Sequence, residues 1–213
     1  MDTTMQLIWL RSDLRLHDNT ALSAAAARGP SVAVYLLSPE QWREHDDAPC
    51  KVDFWLRNLS ELSHALNELN IPLQIRQAPR WDDAPNVLLE LCQQLAIDAV
   101  HVNEEYGIHE TRRDLAVADA LKSRGIEFHS YLDQLLFKPG SVLTRTGTYF
   151  QVFSQFRKVC HERLHHALPS LVSAPQVQAP VSIELDKIPA NIEGFETPGA
   201  SLRALWPAGE GEA

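Results

Sequence analysis

Five short strand-like runs, separated by longer stretches with helical spacing, constrain the fold of this sequence more than any other feature. The runs lie at residues 6–10, 32–37, 71–76, 99–103 and 127–131. The run at 32–37, VAVYLL, is apolar throughout, which is typical of a strand that is buried on both faces. The alternation of such strands with helices predicts an α/β fold, a Rossmann-like five-stranded parallel sheet with helices on both faces.

The chain after the fifth run differs in kind, and we divide it accordingly. Residues 1–134 are expected to form the core of an α/β domain, and residues 135–168 a connector and a helix that complete it. Residues 169–196 are rich in Pro, Ser, Val and Ala without a helical period, which is typical of a linker that runs over the surface. Residues 197–213 are predicted to begin a further domain.

Charge and composition exclude several classes of protein. The chain has 19 Lys and Arg against 28 Asp and Glu, a formal net charge of −9. Because phosphate neutralisation supplies much of the affinity for DNA, this acidic balance argues against a strong DNA-binding module. No apolar run reaches the eighteen or so residues of a membrane helix, and the N-terminus lacks a secretory signal. We therefore expect a cytoplasmic protein without a membrane partner.

Three motifs occur in the order and at the intervals of a known family. They are WLRSDLRLHDN at 9–19, YGIHETRRD at 106–114 and GTYFQVFSQF at 147–156. Together they resemble the DNA photolyase/cryptochrome family, and most of all the bacterial cyclobutane pyrimidine dimer photolyases. The resemblance covers roughly residues 5–168 and implies the N-terminal α/β antenna domain of that family. The strand order expected from it is 3-2-1-4-5.

The resemblance implies a function for the whole protein, a deoxyribodipyrimidine photolyase that repairs cyclobutane pyrimidine dimers in DNA with light. FAD and the lesion would bind to a C-terminal helical domain, which begins near residue 197 and is the domain's own partner. The antenna domain alone would not be catalytic. One alternative is a cryptochrome-like blue-light photoreceptor. Another is an adenylate-type nucleotide-binding domain, against which the absence of a glycine-rich phosphate loop counts.

The same resemblance suggests residues for a second chromophore, methenyltetrahydrofolate or, as the alternative, a deazaflavin. Glu110 matches the acidic residue that binds the pteridine, His109 stands where an Asn is familiar, and His45 matches a histidine that completes the cleft. This domain would supply one wall of the site only. The structural alternative is that Glu110 stabilises the first turn of a helix through the helix dipole.

Three further residues follow from sheet geometry. In open parallel sheets, ligands bind beyond the carboxyl ends of the strands where the winding direction reverses. If strands 1 and 4 are neighbours there, Arg11, Asn103 and Glu104 face that crevice. The alternative is a structural turn in which Asp13 pairs with an arginine or caps a helix.

Two other patterns are interpreted as structural and not as functional sites. His161 and His165 form an HExxH motif, but they lie in a charged helix and no third metal ligand is evident downstream in the sequence, so we predict no metal site. The five tryptophans are interpreted as packing residues, since the electron-transfer tryptophans of the family belong to the helical domain.

Overall fold

The computed structural model describes residues 4–212. Over this range the chain forms five strands, seven α-helices and two short 3-10 turns, at Trp81–Asp83 and Glu210–Glu212. The expected domain limits at residues 1 and 213 lie outside the described residues. The bounds in chain order are β1 Met5–Leu10, α1 Thr20–Arg28, β2 Ser31–Leu37, α2 Pro39–Glu44, α3 Pro49–Glu68, β3 Leu73–Gln77, α4 Ala84–Gln94, β4 Ile97–Asn103, α5 Ile108–Lys122, β5 Glu127–Tyr131, α6 Phe153–His166 and α7 Ala200–Leu205.

The five strands form one sheet in the order β3-β2-β1-β4-β5, and every pairing is parallel. In the centre, Leu7 of β1 lies opposite Val32 of β2 on one side and Val100 of β4 on the other. The predicted fold class and strand order are therefore confirmed. Within residues 4–212, no helix is both long enough and apolar enough to span a membrane.

Successive strand residues point to opposite sides of the sheet, and helices pack on both sides, so each face has buried side chains. On one face, Ile8 and Leu10 pack with Tyr35 against α1 and α3. On the other face, Leu7 and Trp9 pack against α4 and α5. The central strands are almost wholly apolar for this reason, and each face has its own core.

Two local predictions differ from the structure. The third strand begins at Leu73 and not at residue 71, because Ile71 is used to close α3 by donating to the Leu66 carbonyl at 3.0 Å. Pro72 then has no N–H to contribute to a strand ladder. The polar loop expected after β2 contains a short helix, α2, which is anchored by the buried Trp42.

The chain after β5 has little regular structure apart from α6 and α7. The predicted helix at 149–168 begins only at Phe153, and no residue of α6 is buried. Residues 169–196 contain no helix or strand, and we call them the strap. The strap packs along the α/β core, where the Asp186 amide donates to the Leu73 carbonyl of the edge strand β3 at 2.9 Å. The domain boundaries at 134, 168 and 196 remain predictions.

Candidate functional site

A cavity of about 210 Å³ opens at the carboxyl ends of β1 and β2. In the strand order of this sheet, the winding direction reverses between β1 and β4. Glu105, which follows β4, also lines the cavity, so the cavity reaches the topological switch point at which open parallel sheets bind ligands. The cavity is lined by side chains from β1, β2, α2, α3 and α5, among them Trp9, Leu10, Arg11, Tyr35, Trp42, His45, Asp47, Lys51, Trp55, Trp81, Glu105, Glu110 and Arg113.

Arg11 lines this cavity, but its guanidinium is held by the protein. It forms an ion pair with Asp114 at 3.3 Å and donates to the Asn103 carbonyl oxygen. Its Nε has no conventional acceptor among the described atoms. The guanidinium lies 4.6 Å from the centre of the Trp9 ring, so a cation–π contact accounts for its burial. Arg11 therefore builds the cavity wall.

The structure does not bring Asn103 and Glu104 into the cavity. Asn103 is completely buried, accepts from the Ala21 amide at 2.9 Å and donates to Asp13 at 2.7 Å. These bonds connect the end of β4 to the start of α1 and to the first turn. Asp13 in turn accepts from the Arg11 amide at 2.8 Å. Asp13 therefore holds the turn through a backbone amide and Asn103, not through an arginine side chain, and Asn19 is the residue that caps α1.

A buried ionic cluster supports one side of the cavity. Arg113 forms ion pairs with Glu105 and Asp114, both at 2.7 Å, and its guanidinium lies between the rings of Trp9 and Trp81 at 4.8 and 4.9 Å. Burial alone would raise the pKa of Glu105. The charges of Arg11 and Arg113 outweigh it, together with hydrogen bonds from Arg113 and Ser12, so the pKa lies below its ordinary value. Glu105 is therefore ionised at neutral pH.

The three residues suggested by the family resemblance lie near one another. Glu110 and His45 line the cavity, and the His45 ring lies 6.0 Å from the ring of the exposed His109. The Glu110 carboxylate rests against the α-carbon of Gly107, where an added Cβ would approach Oε2 to 1.9 Å. Within residues 4–212, this carboxylate makes no hydrogen bond or ion pair, so it is available to a ligand. The roles of all three residues remain predictions.

Sequence reasoning missed several cavity residues. Tyr35 is the fifth residue of β2, Trp42 lies in the unpredicted helix α2, and Lys51 pairs with Asp47 at 2.5 Å. Trp9, Trp42, Trp55 and Trp81 pack in the domain and also form cavity walls, whereas Trp206 is 64% exposed and does not fit the interpretation as a packing residue. The one available signal was a polar aromatic residue, Tyr35, in an otherwise apolar strand that ends at the switch point.

The HExxH motif does not form part of this site. His161 and His165 are exposed on α6. Across the described range 4–212, no group of three or more His, Cys, Asp or Glu side chains is arranged to hold a metal ion.

Comparison with known proteins gives one consistent family. The family model described as DNA photolyase matches residues 6–176. A deoxyribodipyrimidine photo-lyase from Vibrio cholerae is 38% identical over 155 residues, which is 72% of this chain and 33% of that protein. Cryptochrome-1 from Arabidopsis thaliana is 31% identical over 156 residues, covering 72% of this chain and 22% of its own length.

A solved structure agrees with these matches. The crystal structure of a class III photolyase from Agrobacterium tumefaciens superposes with a TM-score of 0.70 at 26% identity, covering 88% of this chain and 38% of that one. The chain spans 33% of the length of the photo-lyase from Vibrio cholerae and 38% of that from Escherichia coli.

Proposed function

This chain belongs to the DNA photolyase family, and from that premise we propose that it is the antenna-chromophore domain of a deoxyribodipyrimidine photolyase. In the proposed reaction, FAD supplies the electron that opens the cyclobutane ring of a pyrimidine dimer, and the antenna chromophore supplies absorbed light energy. FAD and DNA would be bound by the helical domain of the whole protein. The residues of this chain would hold the antenna chromophore and would not be catalytic.

The observation that carries the proposal is the aromatic cavity at the switch point, with an available carboxylate at its edge. Trp42, Trp55 and Trp81 offer flat apolar surfaces to a conjugated ring, and Glu110 offers two acceptor oxygens. A volume of about 210 Å³ is below the 300–1,000 Å³ that is usual for a whole small-molecule site. The cavity therefore suits the ring system of a chromophore whose remainder lies outside, as expected if this domain supplies one wall.

Methenyltetrahydrofolate is the antenna chromophore we favour. Its pteridine carries ring N–H and amino groups that donate to a carboxylate, and its methenyl bridge carries a positive charge. Glu110 is the one carboxylate of the cavity lining without an ion pair or hydrogen bond in the described structure. It can therefore accept from the pteridine donors and balance the positive charge of the methenyl bridge. His45 and His109 would lie beside the ring. A deazaflavin, which is also planar, is the alternative that the tryptophan walls would accommodate.

A cryptochrome-like photoreceptor is the second candidate, because the Arabidopsis cryptochrome matches the same length of chain. The photolyase match is higher, at 38% against 31% identity. A repair assay on the whole gene product separates the two. Light-dependent loss of cyclobutane dimers supports the photolyase, and its absence in a protein that binds FAD supports the photoreceptor.

The partners follow from charge and from exposed apolar surface. Residues 1–134 contain twelve Lys and Arg against twenty-one Asp and Glu, whereas residues 135–168 contain five against one. We expect this chain alone not to bind duplex DNA specifically at physiological salt. The exposed side chains of Leu136 and Leu168 line one groove together with Phe137, and the helical domain would pack on this groove. We place the protein in the cytoplasm.

The test is Glu110→Ala in the whole gene product, purified beside wild type. Loss of a charge-assisted contact is worth about 1.5–3 kcal/mol, so affinity for methenyltetrahydrofolate should fall roughly ten- to a hundredfold. The near-ultraviolet antenna absorbance should fall with it, while repair under saturating light persists. Glu104→Ala, a carboxylate outside the cavity, is the matched control. An undiminished antenna band would leave Glu110 with a role in the helix start alone.

A further inference from the structure

Tyr35 is a polar side chain placed where the strands are otherwise apolar. It lies opposite Leu10 of β1 and Ile75 of β3, and it is 7% exposed. Its ring belongs to the core beneath α3, while the residue also lines the cavity. The strand thus presents a phenol to the interior of the proposed chromophore site.

The Tyr35 hydroxyl has no hydrogen-bond partner among residues 4–212. By contrast, the cations of the cavity are all engaged: Arg11 with Asp114, Lys51 with Asp47 and Arg113 with Glu105. Within the described residues, Arg11 Nε is the one side-chain atom that is both buried and unpaired, so the Tyr35 hydroxyl is not sealed off by protein. Because Tyr35 lines the cavity, this unpaired hydroxyl is open to the cavity and can bond to a ligand there.

The electrostatic surroundings define what Tyr35 can do. Burial, and then the charges of Glu105, Asp13 and Asp47, raise the pKa of Tyr35, so the side chain stays a neutral phenol at any physiological pH. Its available proton makes it a donor. The same carboxylates repel a negatively charged group in this position, so the preferred acceptor is uncharged.

We infer that Tyr35 is a specificity-determining residue of the cavity, whose hydroxyl donates to an uncharged acceptor on the ligand, a ring carbonyl oxygen or a ring nitrogen. The inference rests on the proposed function, since it takes the ligand to be a conjugated heterocycle held between tryptophans. It selects heterocycles with such an acceptor over purely aromatic molecules and over anions.

The experiment compares Tyr35→Phe with wild type and with Tyr106→Phe, all three in the whole gene product, because this chain supplies one wall of the site only. Tyr106 is 37% exposed and lies outside the cavity, so it is the matched control. The melting temperature of each protein is measured alone and over a millimolar titration of methenyltetrahydrofolate and, separately, of FMN. Tryptophan fluorescence, which reports on the cavity walls, gives an independent dissociation constant.

We expect Tyr35→Phe to melt at the same temperature as wild type or slightly higher without ligand, because no protein bond is lost. With a probe that binds wild type, its dissociation constant should rise about three- to tenfold. Tyr106→Phe, which loses a bond to Glu104 outside the cavity, should keep the dissociation constant of wild type. A fall of several degrees in the melting temperature of unliganded Tyr35→Phe would overturn the inference, because it would reveal a protein partner for the hydroxyl.

Equal affinity of Tyr35→Phe and wild type would also overturn it, while the proposed function would stand. If neither probe binds wild type by either measurement, the chromophore cavity itself is contradicted and the inference falls with it. The two failures are therefore distinguishable.

Discussion

The α/β core and the chain that follows it are held in different ways. Between β1 and α5, apolar side chains fill two continuous layers, one on each face of the sheet. After β5, only Val142 and Phe195 are buried apolar residues among those the structure describes, while Tyr149, Phe153 and Leu168 are more than 70% exposed. The second region contacts the first through polar bonds and through a few apolar side chains of the strap, among them Ile183, Ile188 and Phe195.

Large apolar side chains therefore have different roles in the two regions. In the core they are buried within the domain, whereas exposed ones after β5, such as Leu168, form surface that is open to a partner. The charges divide in the same way, since residues 135–168 are basic and residues 1–134 are acidic. We therefore assign stability to the first region and contacts with other molecules to the second.

The largest expected effect tests this assignment directly. Leu88 in α4 is completely buried, and Leu88→Ala should lower the free energy of unfolding by about 2–5 kcal/mol. Leu168 is 77% exposed, and the same substitution there should change it by less than about 0.5 kcal/mol. Urea unfolding followed by circular dichroism measures both. Comparable losses would mean that the two regions form one core.

A pH-dependent effect of somewhat smaller size is expected from His101. Burial, and then the charges of His129 and Arg28, lower the pKa of this histidine from 6.5 to about 4. The unfolded chain therefore binds the proton more readily, and the stabilisation is complete above pH 6.5 and lost as the pH falls toward 4. The loss is about 2–3 kcal/mol between pH 7.5 and 4.5.

Urea unfolding at the two pH values checks this expectation. His101→Gln should lose less stability than wild type on acidification, because the titrating group is gone. The exposed His165 of α6 provides the control, since His165→Gln should behave as wild type. Equal acid sensitivity of His101→Gln and wild type would contradict the expectation.

The smallest of these effects concerns the strap. The Gln178 side chain accepts from the Ser31 amide at 2.8 Å and donates to the carbonyl oxygens of Ser31 and Asn70 at 2.9 and 2.7 Å. Gln178→Ala should cost about 1–2 kcal/mol of stability and should speed proteolysis within the strap. Gln176 is exposed and makes no such bonds, so Gln176→Ala is the control. Equal behaviour of the two variants would show that the strap is held by its apolar contacts instead.

Much of the core could be predicted because its signals are local. Runs such as residues 32–37 are apolar throughout, and only a strand covered on both faces requires this. The strand order came from the family motifs and is confirmed. The helix start at Ala84 was readable from the proline in its first turn, and the helix end near Lys122 from Gly125, whose φ of +73° suits glycine.

The cavity was harder to predict, because residues distant in sequence build it. Arg113 contacts Trp9 and Trp81 only once α5 has packed on the sheet. No periodicity in the sequence indicates that contact. Helix α2 has a single buried residue, Trp42, and six residues are too few to show a helical period. Asn103 was expected at the crevice, yet its amide is consumed by bonds within the domain. Sequence position alone does not distinguish a polar residue at a strand end that binds a ligand from one that bonds within the domain.

The strap also covers the β3 edge of the sheet, where a second molecule could otherwise add a strand. An edge strand with free backbone amides and carbonyls is a template on which another chain can add a strand. Asp186 occupies that position on β3, because its amide donates to Leu73 and its carboxylate accepts from the Ile75 amide at 2.9 Å. Prolines at 175, 180 and 189 prevent the strap from forming a regular strand, which would itself present a new edge for strand addition. The strap therefore acts as a barrier to aggregation in addition to its predicted role as a linker, and a flexible glycine-serine replacement of equal length would remove that protection.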